Sequence, residues 1–164
     1  MMKRMYGVEL QVPSGKLPGF YAQMVHKIGD TVKVFDRDQQ LMIVESEAER
    51  DKLMEILEKH RMAGDLVDLW LLPAGQESAN PDYGFVSLSG NSYLLADLVA
   101  FFQFNDLEGS PQDRWAALEQ MNEHVVASLT DEGGRPLYIV DRSMTDLIDG
   151  IARAYRVSVQ WMDA

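Results

Sequence analysis

Ser46, Ser110 and Ser143 each stand three residues before an acid, Glu49, Asp113 and Asp146 respectively. A serine near a carboxylate is raw material for nucleophilic chemistry. The same spacing is the capping box, in which the hydroxyl and the acid each satisfy an orphan amide in the first turn of a helix. We therefore read all three serines as caps. Gly84-Phe85-Val86-Ser87-Leu88-Ser89-Gly90 has the wrong spacing for a nucleophile elbow. No dinucleotide or phosphate-loop fingerprint occurs, so no cofactor is expected. Gly90-Asn91-Ser92, read as a helix start, could offer free amides to an anion. The absence of cysteine excludes disulfides, thiolate metal sites and thiol nucleophiles. His26, His60 and His124 are distant in sequence and none has a partner at the spacing of a helical metal motif, so no metal site and no catalytic residue is assigned.

One segment imitates a catalytic motif. Val34-Phe35-Asp36-Arg37-Asp38-Gln39-Gln40-Leu41 resembles the first motif of haloacid dehalogenase-like phosphohydrolases, an apolar strand followed by Asp-x-Asp. The resemblance implies a nucleophilic carboxylate at Asp36, an acid/base at Asp38 and a bridging magnesium ion. It departs at Gln39-Gln40, where that family usually has Gly-Thr. A hairpin turning at Asp36 to Gln39 explains the same aspartates as turn formers, and that is the preferred reading.

The elements that position these residues follow from periodicity and turn chemistry. Met5 to Val12 is expected as a strand closed by Pro13-Ser14-Gly15, then a helix through Phe20, Met24 and Ile28 stopped by Gly29. Thr31 to Phe35 and Gln40 to Glu45 form the hairpin. A helix from Ser46 ends at Gly64, and Leu66 to Leu72 is a fourth strand. This strand-helix-strand-strand-helix-strand order predicts a ferredoxin-like N-terminal half within an α+β fold. Beyond it, Tyr83 to Ser89 reads as a strand and Tyr93 to Phe104 as a helix apolar on nearly every side. A helix from Ser110 to Leu129 follows, then a strand at Leu137 to Val140. A last helix has a face marked by Met144, Leu147, Ile148, Ile151 and Tyr155, and a strand at Val157 to Met162 closes a helix-rich α/β C-terminal half. The expected organisation is a lobe at 1–72, a linker at 73–82 and a second lobe at 83–164, or one continuous domain over 1–164.

Charge separates the halves. Residues 1–72 hold ten basic and twelve acidic side chains, whereas 73–164 hold five and fourteen. Such a balance disfavours nucleic acid and anionic membrane as partners and favours a basic protein surface. The longest apolar run, broken by Asp97, is too short to span a bilayer, and a cytoplasmic location is expected. Asp106 and Glu108 before the Ser110 helix, with Asp131 and Glu132 after it, are the candidate partner-binding residues. On a helix of that length they would stand roughly 30 Å apart, at 1.5 Å per residue. Gly90-Asn91-Ser92-Tyr93-Leu94-Leu95 and Pro136-Leu137-Tyr138-Ile139-Val140-Asp141 resemble pieces of toxin-immunity proteins of the yeast cell-wall-regulator type, although an opening strand and the intervening helix depart from that pattern. We therefore expect a non-enzymatic interaction domain, such as an acidic inhibitor or immunity-type protein, for a basic partner or a second copy of the chain. The alternative is a small-molecule sensor or enzyme with a pocket between the lobes, using Tyr93, Asp97 and Arg135.

Overall fold

A computed structural model describes residues 2–12, 14–15, 18–76 and 80–162. Pro13 of the expected turn and residues 77–79 of the expected linker lie outside the described residues. Among the described residues the fold is mixed α+β, with two antiparallel sheets and four α-helices. The elements are β1 (Lys3–Leu10), α1 (Pro18–Thr31), β2 (Asp36–Asp38), β3 (Leu41–Val44), α2 (Glu47–Lys59) and β4 (Ala63–Leu71). There follow β5 (Gly84–Val86), β6 (Ser92–Leu95), β7 (Val99–Phe104), α3 (Pro111–Met121), β8 (Val125–Thr130), β9 (Pro136–Asp141), α4 (Thr145–Ala154) and β10 (Val159–Met162). The chain divides into two compact units, one of residues 2–71 with 86–93 and one of residues 72–85 with 94–164.

In the first unit β1 lies between β3 and β4, antiparallel to both, and β2 pairs with the free side of β3. The sheet order is β2-β3-β1-β4-β6-β5, which differs from a simple ferredoxin fold in that β6 and β5 extend it past β4. Alternation along β1 sends Val8 and Leu10 into a core with Met24 and Ile28 of α1 and Leu53 and Leu57 of α2. Helix α2 begins as expected, the Ser46 hydroxyl accepting from the Glu49 amide at 3.2 Å. Its end is a correction. The helix stops at Lys59 rather than Gly64, with Arg61 in the left-handed region at φ 56°. The Met62 amide then donates back to the Leu57 carbonyl and the Arg61 amide to that of Glu58, closing a Schellman motif over the buried Met62. Gly64 is needed for close approach instead, since a Cβ there would lie 2.7 Å from the Glu9 carbonyl oxygen, beside the irregularity in β1. The expected strand at Thr31 to Phe35 is also replaced. Helix α1 runs through Gly29 to Thr31, and β2 consists of Asp36 to Asp38. The hairpin turns on two residues, Gln39-Gln40, with Gln39 at φ 54° as a tight two-residue loop demands.

In the second unit the sheet order is β10-β7-β9-β8, antiparallel throughout. The expected helix over Tyr93 to Phe104 is overturned. That run forms β6, a 3₁₀ turn at Ala96–Leu98 carrying Asp97, and β7. Strand β7 is paired on both sides, and Phe101, Phe102 and Gln103 are all buried, so the run has no solvated face for alternation to reveal. Helix α3 starts on the Ser110 cap, whose hydroxyl accepts from the Asp113 amide at 3.0 Å, but ends at Met121. Residues 125–130 form β8, because Val125, Val126 and Thr130 suit a strand paired along β9. Ser143 is not a helix cap. Its hydroxyl donates to the Asp141 carboxylate at 2.7 Å, and Asp141 instead accepts the Ser143 amide. Helix α4 buries Ile148, Ile151 and Ala152 against Phe102, Val140 and the α3 residues Ala117 and Met121, while Leu147 is 43% exposed and not core. Arg156, at φ 61°, repeats the Schellman ending with the Val157 amide on the Ala152 carbonyl.

Candidate functional site

Two constellations bear chemistry, one in each unit. In the first, Asp36 is 5% exposed, and its carboxylate collects four donors. Oδ2 accepts from the Ser87 hydroxyl at 2.6 Å, the Tyr93 hydroxyl at 2.7 Å and Asn91 Nδ2 at 3.0 Å, and Oδ1 accepts from the Arg37 amide at 2.8 Å. Burial alone would raise its pKa; these hydrogen bonds outweigh burial and hold the carboxyl below its ordinary value. Burial, then the hydrogen bond to Asp36, pushes the Tyr93 phenol well above its usual range. Strands β2 and β6 are four places apart in the sheet order. A flat sheet would separate them by roughly 19 Å at about 4.8 Å per strand. The Asp36 to Tyr93 bond therefore requires the sheet to curl, and the carboxylate fastens the curl.

This corrects the view of Asp36 as a turn former, since the turn itself is Gln39-Gln40. It also gives no support to the nucleophile that the phosphohydrolase resemblance implies, because both oxygens are spent on the chain's own donors. No group of histidines and acids placed to hold a metal ion occurs among the described residues. Gly90-Asn91-Ser92 opens no helix; the anion it meets is the carboxylate of Asp36, held through the Asn91 side chain. Beside the cluster an open cleft of about 600 Å³ runs past Phe35, Arg37 and Gln39 to Leu88, which is 91% exposed at the tip of the tight turn between β5 and β6.

The second constellation gathers the acidic loops. Because α3 is short and β8 and β9 return antiparallel, loop 131–135 comes back beside the end of β7 and loop 105–110. The Arg135 guanidinium donates to the Phe104 carbonyl at 2.7 Å, and its Nε lies 3.5 Å from Asp106. Arg114 donates to the carbonyls of Glu108 and Gly109 at 3.0 Å and lies 3.8 Å from Asp106. The two acidic loops thus meet through Asp106 and do not stand at opposite ends of a long helix, which corrects the expected 30 Å separation. Asp131 closes its own turn, accepting from Gln103 Nε2 at 2.9 Å and the Arg135 amide at 2.8 Å, and these bonds, that from Gln103 foremost, hold its carboxyl below the ordinary range. Glu108 and Glu132 are exposed, and no partner for either carboxylate occurs among the described residues.

Between the loops is a cleft of about 190 Å³ lined by the aromatic rings of Phe104, Trp115 and Tyr138 together with Leu118 and Pro136. Trp115 is 63% exposed, and Leu107, on the neighbouring loop, 94%. The sequence analysis singled out the four acids and not Trp115, which falls within the helix expected from Ser110 to Leu129. Tyr93 serves Asp36, Asp97 sits on the 3₁₀ turn and Arg135 belongs to this cleft.

Neither a family model, nor a curated protein, nor a solved structure matches this chain. The site therefore stands on its own geometry.

Proposed function

We propose that the protein is a non-enzymatic interaction module that binds a basic protein partner through the face carrying Trp115 and the acidic loops. The observation that carries this reading is the convergence of loops 105–110 and 131–135 on one aromatic cleft. Binding faces concentrate tryptophan, tyrosine and arginine at an apolar centre and leave charge at the rim. This face has that composition, with Asp106, Glu108, Asp113, Asp131 and Glu132 around Trp115 and Tyr138, and with Arg114 and Arg135 already tied to carbonyl oxygens. Opposite charge across an interface speeds and orients encounter. An inhibitor or immunity-type role fits a module of this kind, and an intracellular setting fits a chain without cysteine. The ferredoxin-like reading of the first lobe belongs to the same proposal and is supported by β1 lying between β3 and β4 in the expected element order.

The test is capture of a partner from the native host, followed by binding kinetics against wild type and a Glu108→Lys/Glu132→Lys variant. These two acids suit reversal because neither serves the fold, whereas Asp106 and Asp131 do. The expected result is slower association for the variant and a weaker dependence on salt than wild type shows. Unchanged affinity and association rate in the variant, extended to Asp106 and Asp131, would remove the acidic rim from the binding face.

A further inference from the structure

We infer that the cleft at Trp115 is an anchor pocket for one large apolar side chain, carried by a partner segment with lysine or arginine on either side of it. The inference rests on the interaction reading above and specifies its ligand. Volume comes first. At about 190 Å³ the cleft is larger than the roughly 150 Å³ apolar cavity that accommodates benzene, and smaller than the roughly 300–1,000 Å³ of pockets for drug-sized molecules. It has room for a phenylalanine, leucine or methionine side chain.

The chemistry of the walls selects the same ligand. Phe104 meets Tyr138 edge to face, with ring centroids 6.0 Å apart, and Trp115 and Leu118 of α3 complete the apolar lining. The two guanidiniums that border the cleft are not presented as free cations. Arg114 is tied to the carbonyls of its own loop and Arg135 to the Phe104 carbonyl, with Asp106 shared between them. A buried apolar group therefore displaces no hydrogen bond from either. Further acids stand beside these groups in the chain, at the exposed Glu108 and Glu132 and at Asp113 in the first turn of α3. Those positions match flanking cations on the incoming chain, not a cation in the pocket itself. The walls are held in advance, since Ser110 caps α3 and Asp131 fixes the turn before β9. A pocket already in its bound geometry loses less to ordering when it is filled.

The test selects a displayed library of random nonapeptides on the immobilised full chain, with a parallel selection on a Trp115→Ala variant. Trp115 is mostly exposed, so the variant folds, and its unfolding transition checks this. The expected outcome is enrichment of peptides with Phe, Leu or Met at one fixed position and Lys or Arg within two or three residues of it. Synthetic versions should lose at least about tenfold in affinity when the anchor becomes Ala, the lower range for truncating a buried anchor, and should fail on Trp115→Ala. Basic peptides without a fixed apolar position would overturn the anchor pocket while leaving the acidic face as a binder of basic partners. Acidic peptides, or no enrichment that depends on Trp115, would overturn the inference together with its premise at this face.

Discussion

Replacing Asp36 by alanine removes the acceptor for three side-chain donors, the Ser87 and Tyr93 hydroxyls and the Asn91 amide, all within 3.0 Å of Oδ2. The aspartate itself is 5% exposed, so water does not simply replace it. Each stranded donor costs about 1–3 kcal/mol. The three share one acceptor and relax together, so their costs do not add, and the expected total is about 3–5 kcal/mol. For a chain of this length that corresponds to a fall in Tm of roughly 6–20 °C. Urea denaturation is the direct assay: the midpoint should fall with little change in slope, which marks lost stability rather than an altered denatured state. Asp38→Ala, two residues along the same strand and outside the cluster, is the internal control and should stay within about 0.5 kcal/mol of wild type. If the two variants unfold at the same urea concentration, Asp36 does not clasp the sheet.

The acid limb of stability should report the same cluster. The Asp36 pKa is lowered on folding, so its contribution is present above the unfolded-state value of roughly 3.9 and is lost as pH falls through the folded-state value; Asp36→Asn should show a flatter decline than wild type there, and parallel acid limbs would contradict this. Gly109→Ala should destabilise by about 1–3 kcal/mol, because its φ is +75° and a Cβ would lie 2.6 Å from Val157 Cγ1; an unchanged Tm would show that loop 105–110 is free to shift. On α4, Ile148→Asp should be severely destabilising and Leu147→Asp mild, since only the former is fully buried; equal effects in circular-dichroism melts would contradict the orientation of that helix.

What the sequence made legible was local. Ser46-Glu49 and Ser110-Asp113 set two helix starts because a cap needs only residues three apart. The order of elements through residue 72 followed from the same short-range signals. The end of α2 was misplaced because arginine rather than glycine takes the left-handed position there, at Arg61, whereas the C-terminal rule relies on glycine. The run 93–104 was misread because a strand paired on both sides has no polar face to give a period of two. The bonds that matter most for the sites were beyond any spacing rule: Asp36 and Tyr93 are 57 residues apart, and Asp106 meets Arg135 only because α3 is short and β8 turns back.

The central claim is that the acidic face with Trp115 is where a protein partner docks. Amide hydrogen exchange of the whole chain, free and saturated with the captured partner, tests it most directly. Protection is expected to concentrate in residues 104–118 and 131–138, with little change around Asp36 and Leu88. Protection confined to the Phe35 and Leu88 cleft, or spread elsewhere while 104–118 and 131–138 exchange as in the free chain, would contradict it.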